Sequence, residues 1–154
     1  MAKTYKDYKK ILKDKLTALV DNDTPTPHTL FAAVYDYEET QPSGFPCAYV
    51  IADSGSGSIL DTARNEREWQ FRIILRQEIS KVGKTPEEAE DILTDMVDYV
   101  INAFDTDPQL YDSGGLAQCM YCKVVPVEFN FNLSETAQVF AILQVSIVHL
   151  VNNF

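Results

Sequence analysis

Two spacings of apolar residues divide the chain. Tyr5, Tyr8, Leu12, Leu16 and Leu19 recur at three and four residues, which places them on one face of an α-helix. They predict a helix from Tyr5 to Val20 with Thr4 as its cap. The run Asp21-Asn22-Asp23-Thr24-Pro25-Thr26-Pro27 ends it, because proline lacks a backbone N–H and biases the preceding residue away from helix. A second helical series, Ala89, Ile92, Leu93, Met96, Val97, Val100 and Phe104, follows a sharp start signal: Thr85 as N-cap, Pro86 at the first helical position and Glu88 as a capping-box carboxylate.

Between and after these helices the spacing changes to two. Leu30 to Tyr37 and Phe45 to Ala52 read as strands joined through Thr40-Gln41-Pro42-Ser43-Gly44 as a hairpin, with Pro46 marking an edge or a strand start. Trp69, Phe71, Ile73 and Leu75 alternate with Gln70, Arg72, Ile74 and Arg76, the pattern of a half-buried strand. Tyr121, Val125, Val127, Phe129 and Phe131 alternate with Cys122, Val124, Glu128 and Asn130, and Val139 to Val151 is almost continuously apolar, as in a central strand buried on both faces. Asp53-Ser54-Gly55-Ser56-Gly57-Ser58 is too polar and flexible to order itself, so a mobile loop is expected over about 53–66. Asp105 to Leu116, with Pro108 and Gly114-Gly115, reads as an exposed connection.

The resulting order is α-β-β-β-α-β-β. It predicts one α+β domain over residues 1–154, with a mostly antiparallel or mixed sheet and helices on one face. A chain of 154 residues with 45% hydrophobic positions is long enough to build its own core without disulfides or metal. No apolar run approaches the roughly 20 residues of a membrane span, and MAKTYKDYKK has no apolar stretch behind its charges, so a soluble, unsecreted protein is expected. The odd count of three cysteines fits a reducing compartment.

Charge alters this picture. Thirteen Lys and Arg against twenty-three Asp and Glu give a net charge of −10, which disfavours non-specific nucleic-acid binding. Yet residues 1–15 hold six lysines and two aspartates, a local +4 that leaves −14 on the other 139 residues. Lys6, Lys9, Lys10 and Lys13 share one flank of the first helix, either a solvated face or a docking surface. Glu87, Glu90, Asp91, Asp95 and Asp98 face away from the apolar stripe of the second helix and continue into Asp105, Asp107 and Asp112. They form either a solubilising face or a wall along which a polyanion slides without sticking.

Chemistry has few candidates. Cys119-Met120-Tyr121-Cys122 has the C-x-x-C spacing of zinc or redox sites, but one further cysteine and the distant His28 and His149 make a poor ligand set. The motif leads into a strand, where alternation turns the two thiols to opposite faces. His149 reads as a packing residue and His28 as a surface loop residue. No G-x-S-x-G, H-E-x-x-H, P-loop or G-x-G-x-x-G occurs, so no enzyme activity, cofactor or metal is expected.

The whole order resembles the tail terminator, or tail completion, proteins of long-tailed bacteriophages. The resemblance rests on the basic-flanked helix, the strands Phe45-Pro46-Cys47-Ala48-Tyr49-Val50 and Glu68-Trp69-Gln70-Phe71-Arg72-Ile73-Ile74-Leu75, the intervening loop, the helix after Thr85-Pro86-Glu87-Glu88 and the two closing strands. It implies a virion protein, made in the host cytoplasm, that forms a homo-oligomeric ring of six at the head–tail junction. Such a ring caps the tail tube, meets a neck or head-completion protein, and lets DNA pass through its lumen without specific binding or any membrane. On that reading Lys6, Lys9, Lys10, Lys13, Ile59, Leu60, Arg64 and Arg67 are interface residues, and Glu87, Glu90, Asp91, Asp95, Asp98, Asp105 and Asp107 line the lumen. Another head–tail connector, or a small ligand-binding regulatory α+β domain, is the alternative.

Overall fold

A computed structural model describes residues 3–21, 26, 28–39, 41–53, 56–59, 64–78, 86–130 and 138–152; at 21, 56–59, 64–66, 86 and 150–152 it describes the backbone alone. The described elements are α1 (Tyr5–Thr17), β1 (Val20–Asp21), β2 (His28–Thr29), β3 (Ala33–Tyr35), β4 (Cys47–Ala52), β5 (Ser56–Ile59), β6 (Arg64–Glu78), α2 (Pro86–Asp105), β7 (Tyr121–Asn130) and β8 (Gln138–Asn152). The class is α+β and the long elements fall in the predicted order. The extra strands are short ones that apolar periodicity does not mark.

The spine is the antiparallel pair β6–β8, in unbroken register from Arg64↔Asn152 to Glu78↔Gln138. The main sheet runs β3-β4-β6-β8-β7, with β5 paired to the first part of β6. Both helices pack on one face. Tyr8, Leu12 and Leu16 of α1 join Ala89, Leu93, Met96, Val97, Val100 and Phe104 of α2 over Ala48, Val50, Phe71, Ile73, Leu75, Cys122, Val124 and alternate residues of β8 in one buried cluster. Each large aliphatic side chain so buried contributes roughly 1.5–3 kcal/mol.

Thr4 caps α1 as expected, and Asp7 completes the box. Asp7 N donates to Thr4 Oγ1 at 3.3 Å and Thr4 N donates to Asp7 Oδ2 at 2.8 Å. The helix ends at Thr17, short of the predicted Val20, because Val20 and Asp21 leave to pair with Thr29 and His28. The Thr85 cap of α2 lies outside the described residues, as does Phe131.

Several expectations are corrected. Leu30 to Tyr37 is not one strand, and its ordered part, β3, runs parallel to β4, with Ala33 opposite Cys47 and Tyr35 opposite Tyr49. The segment between is therefore a crossover, as parallel pairs require. Its Glu39 and Ser43 lie on the sheet surface away from the helices, where Tyr49 Oη donates to Glu39 O at 2.8 Å and Ser43 N donates to Tyr35 Oη at 2.9 Å. Pro46 immediately precedes β4, which is interior, so it marks a strand start.

The loop expected over 53–66 contains β5 and the start of β6, paired from Ser56↔Glu68 to Ile59↔Asn65. Ladder hydrogen bonds need no apolar side chains, so a polar hairpin beyond the core positions of β6 leaves no periodic signal. β8 is interior but buried mainly on one face: Val139, Ala141, Leu143, Val145 and Ile147 are buried, while on the side without helices Phe140, Ile142, Gln144 and Ser146 are half-buried and Val148 is buried. The connection after α2 is not simply exposed, since Leu110 is buried in the core.

Candidate functional site

The basic flank of α1 forms one surface. Lys6 and Lys10 are exposed and Lys9 and Lys13 half-buried along the same side of the helix. The first turn is anchored by Tyr5, whose ring meets Trp69 edge-on with centroids 4.7 Å apart. Exposed Arg67 lies two residues before Trp69 on the same side of β6, so α1 and this hairpin bring basic residues to one end of the spine. Among the other predicted interface residues, Ile59 ends β5 and Arg64 begins β6, while Leu60 lies outside the described residues.

The exposed side of α2 forms the second surface. Glu87, Glu90, Asp91, Asp95, Asp98 and Asp105 are all exposed, opposite the buried series from Ala89 to Phe104. None of these six forms an ion pair among the described residues. Asp107 does not belong to this surface. It is half-buried, and Lys15 Nζ donates to its Oδ2 at 2.9 Å while lying 5.3 Å over the Phe104 ring. The lysine outside the predicted stripe and one acid of the predicted wall therefore tie α1 to the end of α2.

At the other end of β6 from Trp69, α2 borders a cleft of roughly 960 Å³. Ile92 and Met96 give it an apolar wall beside Asp95, Asp98 and Asn102, and Leu30, Phe45 and Pro46 face them. Tyr99 Oη donates to Val20 O, fixing this side of α2 to β1. Gln77 also lines the cleft; it is only 2% exposed, its Nε2 donates to Glu78 O at 3.2 Å, and its Oε1 has no partner among the described residues. A buried, unpaired amide oxygen is an acceptor awaiting a donor. His28, read from sequence as a loop residue, is in β2 at the cleft rim, exposed, with Nδ1 3.3 Å from Thr26 O.

The cysteines do not point apart. Cys119 precedes β7, so strand alternation does not govern it, and both thiols enter the same buried cluster. Cys119 Sγ lies 3.7 Å from Pro108 O, and Cys122 N donates to that same carbonyl. Burial pushes the Cys119 thiol up to about 11 and Cys122 higher still. Neither has the depressed pKa of a redox-active thiolate. Burial, with Lys3 nearby, lowers His149 below its ordinary value; its ring packs 6.5 Å from Tyr8. Among the described residues no group of three His, Cys, Asp or Glu is arranged to hold a metal ion.

Sequence reasoning missed the exposed edge. In β7 Cys122 and Val124 are buried, whereas Tyr121, Val125, Val127 and Phe129 are 47, 39, 59 and 40% exposed. A bulge between Pro126 and Glu128 shifts the alternation, so Phe129 falls opposite Ala141, on the side of the helices. Comparison of the sequence with protein-family models and with curated proteins finds no match. No helix among the described residues is long and apolar enough to cross a membrane.

Proposed function

We propose that this protein is a structural subunit of a bacteriophage virion. In this reading it forms a homo-oligomeric ring that caps the head-proximal end of the tail tube, stops tube growth and offers a docking surface to the neck or head. The observation that carries the reading is the separation of charge: a basic flank at one end of β6 and an acidic helix face reaching a cleft at the other. A ring closed by heterologous contacts needs two different, mutually adhesive patches on each subunit. Opposite charges at opposite ends meet that need. Outside the cleft, the acidic residues Glu87, Glu90, Asp91 and Asp105 of α2 suit a lumen through which DNA moves, since like charge opposes sticking.

In this role the chain performs no catalysis and needs no cofactor. The test is tail-tube polymerisation followed by electron microscopy. Tube protein polymerised with this chain should give tubes of limited length with one end capped; tubes as long as those grown without it would refute the reading. The cleft with its unpaired Gln77 oxygen favours a second reading, a small ligand-binding regulatory domain. A strictly monomeric chain that retains a small amine in that cleft would support it.

A further inference from the structure

The acidic cleft and the basic flank have no use for each other within one chain. Tyr5 packs on Trp69, beside Lys6, whereas Gln77 lies eight residues further along β6. At about 3.3 Å per residue that is roughly 26 Å from the first turn of α1, several times the reach of the Lys6 side chain. Lys6 and Lys10 form no ion pair among the described residues, nor do Asp95 and Asp98. The molecule thus carries an unmatched cationic ridge at one end and an unmatched anionic cleft at the other.

The cleft is more than a cluster of carboxylates. Gln77 interrupts an otherwise apolar series, Trp69, Phe71, Ile73 and Leu75, on the helix side of β6. Its Oε1 is buried and unpaired, which in a native protein marks a place where something donates a hydrogen bond. Ile92 and Met96 provide apolar surface next to it and Asp95 and Asp98 provide negative charge. Those features describe a receptor for a long side chain with an alkyl stem and a cationic, hydrogen-donating head.

We propose that the cleft beside α2 receives the basic flank of α1 from a second copy of this chain. Lys6 lays its stem on Ile92 and Met96 and brings its ammonium to Asp95, Asp98 and the Gln77 oxygen. The inference rests on the ring reading, to which it adds the contact between neighbours. Charge complementarity selects the occupant. Residues 1–15 carry +4 and the rest of the chain −14, so the ridge on one copy is the natural counterpart of the cleft on the next. Because ridge and cleft lie at opposite ends of β6, each copy uses both at once, and pairing runs head to tail.

Two full-length variants test this. Asp95→Lys with Asp98→Lys reverses the cleft and keeps the ridge; Lys6→Glu with Lys10→Glu reverses the ridge and keeps the cleft. All four positions are exposed, so circular dichroism should show both variants folded. Each alone is expected to stay monomeric at a concentration about 100-fold above that at which the wild type assembles, as loss of a charged interfacial pair implies. Their equimolar mixture should restore assembly in alternating order, because the lysine ridge of one variant fits the acidic cleft of the other and the reversed ridge fits the reversed cleft. Gln77→Leu should weaken wild-type assembly about tenfold without lowering thermal stability, as expected when an unpaired acceptor is removed. A wild type that assembles while ignoring both reversals overturns the contact and leaves the ring reading standing. A wild type that stays monomeric at every concentration overturns both.

Discussion

Lys15 holds Asp107 at 2.9 Å across 92 residues of sequence, with its ammonium 5.3 Å above the centre of the Phe104 ring. One side chain thereby joins α1 to the end of α2 by a hydrogen-bonded ion pair and a cation–π contact. It fixes the basic helix relative to the acidic one. The pair is partly screened, its side chains being 19 and 29% exposed, so its worth is modest.

Lys15→Met should lower stability by about 1–2 kcal/mol, combining a partly exposed ion pair with a cation–π contact. Asp107→Asn should cost about 1 kcal/mol or less, the ion-pair share alone. The double variant should be no worse than Lys15→Met. Urea unfolding of the four proteins measures this directly, and strict additivity would mean that the two residues do not interact.

Gly115→Ala isolates a backbone effect. Gly115 sits at φ +81°, and a Cβ there would meet nothing within 4 Å. The substitution should therefore cost about 1–2 kcal/mol from the left-handed conformation alone. An unchanged midpoint in urea would show that this turn relaxes freely.

The same turn supplies a pH dependence. Asp112 Oδ1 accepts from Leu116 N and Gly114 N, both at 2.9 Å, and Oδ2 accepts from Gln118 Nε2. These bonds, that to Leu116 foremost, hold its carboxyl below the ordinary 3.8. A carboxyl depressed on folding contributes stability above its unfolded pKa and loses it as pH falls through the folded value. Asp112→Ala should thus be less stable than wild type at pH 7, and the gap should close below about pH 3.8. A gap that persists at pH 2 would assign the effect to packing.

The thiols should be slow. With Cys119 pushed up to about 11, Cys122 raised further and Cys47 also raised by burial, little thiolate exists at pH 8. Alkylation of the native protein should lag the unfolded chain by well over tenfold. Equal rates would reveal an accessible thiolate and reopen the C-x-x-C motif to redox chemistry.

How much of this was written in the sequence depends on what kind of force places each residue. The burial of Leu93, Val97, Val100 and Phe104 follows from spacing alone, because one face of α2 meets the core. Thr4 announces α1 because capping is local. The parallel pairing of Ala33 with Cys47 does not show, since the turn residues at 40–44 serve a crossover as well as a hairpin. β5 and the first residues of β6 are held by backbone pairing, which leaves no side-chain pattern. Gln77 was half legible: it continues the parity of Phe71, Ile73 and Leu75, but only packing shows that its oxygen lacks a partner. The split of the lysines into an unmatched ridge and one internal tie required seeing Asp107 beside Lys15.

The central claim is that copies of this chain close upon one another. Native mass spectrometry of the wild type across concentration and salt, with and without tail-tube protein, reads it most directly. The account predicts a discrete closed species, six copies of the 17.4 kDa chain or about 104 kDa, that weakens as salt rises. A monomer at every concentration, with tube protein present, would contradict it.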